Sequence, residues 1–410
     1  MSMELRDRCF LVLLRDALDG SCSPEARELA GSMDGELQNQ VLELARLHNL
    51  FPLLAQQLME LSPPGLPRGA LRSLALQALA RQTVATQSLL VLTRALEEAD
   101  VPALVVKGAV CRSLYPTPDL RPSSDEDLLI RPEDLARAEA VFRKLGYSLQ
   151  EEGGPGEAVR TWCAPSLRVE LHRRLCGDLT VAGCEAESWF AGCFSRSMIW
   201  DVGEGTVRTL GLQDHILYLL LHFYKHFLAG GVGIRQLCDI CLFLKKRGGE
   251  LDWPALWGPL RAMNLDCLTW NMMDLGVRYL GLPPQMIWRP PELPEADSEA
   301  LLLDILDAGV FGSSTMERKH SSLITIRAAS DGGGREGNLR SAVFPSAASL
   351  QGRYPYLRKW PCLLPAAWCA RGLRYLKEGR NVGGRAAAAA RIGRRRLELL
   401  ERYGLLGRKP

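Results

Sequence analysis

Ser124-Asp125-Glu126-Asp127-Leu128-Leu129-Ile130 is the stretch on which the architecture of this chain turns. Its apolar end reads as a short strand, and strand side chains alternate between faces. Asp125 and Asp127 are therefore expected on one side and Glu126 on the other. Upstream, Val101-Pro102-Ala103-Leu104-Val105-Val106 is a second apolar run; it ends at Lys107-Gly108 and enters a helix near Ala109. Downstream, residues 132–145 read as a helix with Pro132 at its first position, where proline's fixed φ suits a helix start. The order is strand, helix, strand, helix.

Beyond a glycine-rich turn at Gly153-Gly154-Pro155-Gly156, residues 158–163 and 167–171 are spaced to pair as a hairpin, which makes the sheet mixed. On both sides of this block the period is helical. Residues 1–98 read as successive helices, for example 39–58 and 70–98, interrupted at Ser62-Pro63-Pro64-Gly65-Leu66-Pro67. From Gln213 onward, Ile216, Leu217, Leu220, Leu221 and Tyr224 mark one wide apolar face, and helices continue to about residue 280. Five prolines between Pro283 and Pro294 indicate an extended connector. A glycine-rich loop at 331–337, expected to be mobile, precedes a helix former, Ala386 to Ala390, with Arg391, Arg394, Arg395 and Arg396 behind it. The expected class is α+β, a small mixed-sheet core flanked by helical N-terminal and C-terminal regions. Its expected divisions are a helical region 1–98, the core 99–208, a helical block 209–330 closing a cleft, and the loop with its basic helical region 331–410.

Composition fits a folded protein. Of 410 residues, 47% are hydrophobic and 24% charged, which excludes a wholly disordered or fibrous chain. The net charge of +3 hides an asymmetry: residues 353–410 hold 15 Lys and Arg against 3 Asp and Glu. Such a tail could meet an anionic partner, nucleic acid included, although a solvated helix face explains it more simply. The 12 cysteines are scattered, unlike a secreted disulfide scaffold, so reduced thiols are expected. The run Cys9-Phe10-Leu11-Val12-Leu13-Leu14 is too short for a signal peptide, and no run reaches the roughly 18 apolar residues of a membrane span. A cytoplasmic protein without a membrane span is expected.

The chemistry lies in the acids. Asp125 and Asp127 on one strand face repel unless a divalent cation neutralises them, and their hard oxygens suit Mg2+. Glu170, within Arg168-Val169-Glu170-Leu171-His172, supplies a third carboxylate if its strand neighbours the first. Three such acids can clamp one or two ions, orient an α-phosphate and help to take a proton from an attacking hydroxyl. Lys107 and Gly108, at the end of the preceding strand, stand where a turn can cradle phosphate and a lysine can add charge. Lys225, His226 and Arg235 are expected to turn a polar edge of the helical block toward the triphosphate or the acceptor. His222 and His226 have zinc spacing but no evident third ligand, and His172 is expected to support Glu170. Cys238 and Cys241 lie within a helical pattern and read as packing, as do Tyr356, Trp360 and Trp368.

These residues also carry a resemblance. The stretch 104–146, with Lys107-Gly108, Leu114-Tyr115-Pro116, Arg121-Pro122-Ser123-Ser124-Asp125-Glu126-Asp127 and Gly146-Tyr147, resembles the uncharacterised bacterial nucleotidyltransferase family of the DNA polymerase β superfamily. Glu170-Leu171-His172 matches that family's acid-Leu-His element. The similarity continues through His222, Lys225-His226, Arg235 and Asp239, then Phe344-Pro345-Ser346, Arg353-Tyr354-Pro355 and Leu364-Pro365-Ala366-Ala367-Trp368. One departure stands out: Lys107-Gly108-Ala109 replaces the superfamily's usual Gly-Ser or Gly-Gly. The resemblance implies metal-dependent transfer of a nucleoside monophosphate from a nucleoside triphosphate, ATP being the expected one, to an acceptor hydroxyl, with two Mg2+ ions and Asp125, Asp127 and Glu170 as the catalytic and metal-binding residues. The acceptor could be a small molecule, a peptide, a protein or RNA. The rival expectation is a nucleotide-binding or partner-binding protein on the same fold that does not turn over.

Overall fold

The computed structural model describes residues 3–150, 159–177, 179–182, 184–228, 230–309, 354–358, 360, 363–368, 370 and 382–406. The expected turn at 153–156, the loop at 331–337 and Phe344-Pro345-Ser346 lie outside them. The chain forms two compact units, one of Met1–Tyr224 with Gly233–Leu302 and one of Lys225–Val232 with Leu303–Pro410.

The first unit opens with five helices: α1 (Leu5–Asp19), α2 (Pro24–Ser32), α3 (Gly35–Leu47), α4 (Phe51–Leu61) and α5 (Arg68–Glu98). The apolar run Cys9 to Leu14 is the buried middle of α1, which packs on α2, α3 and α4. Ser23 and Asp34 cap α2 and α3, their side chains accepting from the amides of Ala26 and Leu37. The single helix expected over 39–58 is two helices. Asn49 takes a left-handed φ of 54° and Pro52 falls at the start of α4, where its missing N–H costs nothing; both residues break the pattern that the leucine spacing suggested. Helix α5 buries Leu71, Ala75, Ala78, Gln82, Thr86, Leu89, Leu92 and Leu96, a stripe of three- and four-residue steps with two polar members.

Next come β1 (Ala103–Val105), α6 (Ala109–Arg112), β2 (Glu126–Ile130), α7 (Leu135–Lys144), β3 (Ser148–Leu149), β4 (Val159–Cys163) and β5 (Arg168–His172). They form one sheet in the order β1-β2-β5-β4-β3. Strands β2 and β5 are parallel and every other pair is antiparallel, so the sheet is mixed and β4 and β5 form the expected hairpin. Strand β2 is buried along its whole length, as a central strand covered on both faces must be. Register assigns the faces. Glu126, Val169 and Trp162 share one, with Phe142 of α7 packed against it, its ring centroid 5.1 Å from that of Trp162. Asp127, Glu170 and Thr161 form a row across the other.

Two hairpins follow, β6 (Thr180–Val181) with β7 (Cys184–Glu185) and β8 (Met198–Asp201) with β9 (Thr206–Thr209). Helices α8 (Leu212–Leu228), α9 (Ile234–Arg247), α10 (Trp253–Ala262), α11 (Asp266–Tyr279) and α12 (Glu299–Ala308) complete the order before the last described helix, α13 (Val382–Arg402). The first amide of α9, on Ile234, donates to His48 Nδ1 at 3.3 Å and so ties α9 to the N-terminal helices. In the second unit, α13 buries Leu397, Leu400, Tyr403 and Arg396, the last donating to the Phe227 carbonyl and standing 3.7 Å from Asp304. Arg391, Arg394 and Arg395 are exposed. Among the described residues no helix is long and apolar enough to cross a membrane.

His215 of α8 is buried between Thr209 and Phe243, with no hydrogen-bond partner for Nε2 among the described residues, and burial pulls its pKa down to about 4. Because the unfolded state binds the proton more readily, the fold loses stability as pH falls from 6.5 through 4. At roughly 1.4 kcal/mol for each unit, this one residue should cost about 3 kcal/mol across that window. Denaturant unfolding of wild type and His215→Phe at pH 7 and pH 4 should give a gap between the two proteins that shifts by that amount in favour of the variant at low pH. A gap independent of pH would show that His215 is not held neutral.

Candidate functional site

The site begins with the cost of burying acids. Glu126 and Asp127 are adjacent on β2 and only 1% and 3% exposed, and each meets its own set of cations on its own side of the sheet. Glu126 accepts from the amide of Ala109 at 2.7 Å and from Arg112 Nη1 at 2.5 Å, while Arg112 Nη2 donates to Thr86 of α5 at 3.1 Å. Gly108 sits against this carboxylate with φ of 47°, and a Cβ there would fall on Glu126. The turn between β1 and α6 is thus closed around a buried carboxylate. The Ala109 amide of this turn, where backbone amides were expected to cradle phosphate, is already in use.

Asp127 faces the other way. Lys107 Nζ stands 3.2 Å from Oδ2, and His172 Nε2 stands 3.1 Å from Oδ1. A carboxylate only accepts, so His172 carries its proton on Nε2. Lys107 also donates to His222 Nε2 at 3.1 Å, which puts the His222 proton on Nδ1. Burial alone would raise the Asp127 pKa. The Lys107 charge, then the hydrogen bond and electrostatic attraction of His172 and the attraction of His222, outweigh it and hold the carboxyl well below the usual carboxylate range. The Lys107 contact is an ion pair whose angle does not make a hydrogen bond, so buried Oδ2 accepts none among the described residues.

Glu170 is the registered neighbour of Asp127 across the parallel strands and lies 3.8 Å from His172 Nε2. Burial pushes its pKa up, and the charges of Asp127 and Asp125 push it further. Asp127, Glu170 and His172 each offer a ligand atom within 4.8 Å of the others, a group that could hold a metal ion. Asp125 lies half-buried just before β2, outside that trio, and its charge acts on both Glu170 and Arg235. His172, expected to support Glu170, makes its shorter contact with Asp127.

The segment leading to Asp125 is held from three directions. Gln82 of α5 donates to the Ser123 carbonyl at 3.0 Å and accepts from the Ser123 amide at 3.2 Å. Buried Arg121 forks onto Asp239 of α9 at 2.8 and 2.5 Å, and Tyr115 donates to the same carboxylate at 2.8 Å. Arg235, one turn earlier on α9, donates to the Pro122 carbonyl. Arg235 is 7% exposed, its Nε has no partner among the described residues, and burial, then Arg121, lowers its pKa. Lys225, exposed, and His226, half-buried, belong to the second unit.

Sequence reading missed Gln82, Glu126 with Arg112, and Tyr218 of α8, a buried phenol whose pKa is raised well above its ordinary value by burial and then by the Asp127 charge. The only local signal was a polar residue recurring in an otherwise apolar helical stripe. Cys238 and Cys241 are both buried in α9, in keeping with packing. Among sequence models of protein families, the one described as uncharacterised nucleotidyltransferase matches residues 34–281, more than half of the chain. No curated protein and no solved structure matches.

Gly108→Ala should destabilise the first unit by about 3 kcal/mol or more, since it adds backbone strain and displaces a buried, paired carboxylate. Thermal unfolding measures this. An unchanged midpoint would mean that Glu126 does not close the turn.

Proposed function

The chain belongs to the uncharacterised nucleotidyltransferase family, and from that premise we propose that it moves a nucleoside monophosphate from a nucleoside triphosphate to an acceptor hydroxyl with release of pyrophosphate. One observation carries the proposal: Asp127 and Glu170 stand side by side on parallel strands, with the charge of Asp125 acting on Glu170 and the Lys107 cation against Asp127. The same acid pattern supports a place for the family in the DNA polymerase β superfamily, and ATP is the nucleotide we expect.

Asp125, Asp127 and Glu170 would hold the divalent cation, Mg2+ in the first instance. When bound, it supplies charge that neutralises phosphate oxygens and polarises phosphorus. The buried Asp127 Oδ2 that accepts no hydrogen bond from the described residues fits a cation ligand. Glu170, its carboxyl biased toward protonation, accepts the proton of the acceptor hydroxyl. The acceptor oxygen forms its bond to the α-phosphorus as the bond to the bridging oxygen breaks, and pyrophosphate leaves. Lys107 and Arg235 offset the charge of the departing phosphates. With the Ala109 amide committed to Glu126, phosphate recognition falls on these side chains more than on the turn, which accounts for a lysine where the superfamily has a small residue.

Purified protein with Mg2+, cell extract and each triphosphate labelled at the α-phosphate should release pyrophosphate and label an acceptor. Asp127→Asn should abolish transfer without unfolding the protein. Glu170→Gln should lower turnover by at least about a hundredfold, the scale of general-base loss, with a smaller effect on nucleotide affinity. Transfer by Glu170→Gln at the wild-type rate would remove that residue from the chemistry. Unchanged turnover in Asp127→Asn would remove the whole acid site.

A further inference from the structure

We propose that His172 is itself a metal ligand, and that the resident cation is therefore a first-row transition ion in preference to Mg2+. This rests on the transfer reading above, which calls for a divalent ion held by acids, and adds His172 to its ligands.

Geometry comes first. Ligand atoms about 2.1 Å from a shared ion lie about 3.0 Å apart at a right angle and about 3.4 Å apart at a tetrahedral one. His172 Nε2 lies 3.1 Å from Asp127 Oδ1 and 3.8 Å from Glu170 Oε2. Both His172 separations are within a few tenths of an ångström of a coordination shell, the three ligand atoms lie within 4.8 Å of one another, and all three side chains come from paired strands, which move less than loops. A second, independent sign of a ligand is Asp127 Oδ2, an oxygen of a carboxylate only 3% exposed that accepts no hydrogen bond from the described residues, with the Lys107 ammonium drawn up to 3.2 Å.

Chemistry then selects the ion. His172 Nε2 now bears a proton given to Asp127. As a ligand, His172 would be the other neutral tautomer, with its proton on Nδ1 and the Nε2 lone pair free for the ion. Mg2+ takes oxygen ligands almost exclusively, whereas imidazole suits first-row transition ions, of which Mn2+ binds most weakly and serves as the paramagnetic probe. Two carboxylates and one imidazole thus discriminate by ligand type, which three carboxylates cannot. If His172 only oriented Asp127, its nitrogen would keep the proton and never meet the ion.

The test uses the full chain without nucleotide. Mn2+ titrations followed by electron paramagnetic resonance give the affinity, and pulsed measurements on the bound ion report whether a nitrogen lies in its shell. We expect one coupled nitrogen in the wild type, its loss in His172→Gln, and a fall in Mn2+ affinity of about tenfold or more with a much smaller change for Mg2+. Mn2+ that binds, and is lost in Asp127→Asn, yet shows no nitrogen coupling would overturn the assignment and leave the transfer reading standing. The wild-type spectrum alone decides this, whatever happens to the folding of the variant. Failure of both ions to bind, even with a triphosphate added, would overturn the assignment together with the transfer reading.

Discussion

Two neighbouring carboxylates buried on opposite faces of one central strand are the constraint around which the first unit is organised. An ionised acid cannot stay in an apolar interior without partners, and here two such acids share a peptide bond. Glu126 takes Arg112 and the amide of Ala109 on one face. Asp127 takes Lys107 and His172 on the other. Because Lys107, Gly108 and Ala109 are consecutive, these demands act on one turn from both sides of the sheet. The turn that places Lys107 at Asp127 is fixed by the acid that does not face the site.

The two faces differ in what they leave over. Around Glu126 the carboxylate meets the Ala109 amide and Arg112, whose other terminal nitrogen donates to Thr86, as a structural ion pair requires. Around Asp127 the match is incomplete: among the described residues an oxygen goes without a hydrogen bond, Glu170 is crowded by other acids, and Arg235 nearby has a nitrogen without an acceptor. Unmatched donors and acceptors of opposite sign in one place fit the ligand proposed above, a cation with a polyphosphate.

Much of this was legible in the sequence wherever the information was local. Alternation along Ser124 to Ile130 separated Asp127 from Glu126, and the apolar runs on either side of Pro165 gave the β4–β5 hairpin. What the sequence could not supply was the pairing of distant residues. Lys107 and His222, Arg121 and Asp239, and Gln82 and Ser123 are 115, 118 and 41 positions apart, and no periodicity relates them. The error over 39–58 was of another kind, a leucine spacing that runs straight through Asn49 and Pro52. There the backbone preferences of two residues outweighed the pattern of a dozen.

The fork from Arg121 onto Asp239 also has a meaning in time. A ribosome makes the N-terminal helices and the whole sheet before it reaches α9, and domains tend to form as their residues emerge. Until Asp239 appears, Arg121 has no counter-ion and keeps its water, so the segment that carries Asp125 still lacks its anchor. A nascent chain can complete its scaffold while its acids are still apart. The acidic cluster is then assembled late, by a helix that contributes none of the acids in it, and a truncated product released early would be folded in part and chemically silent.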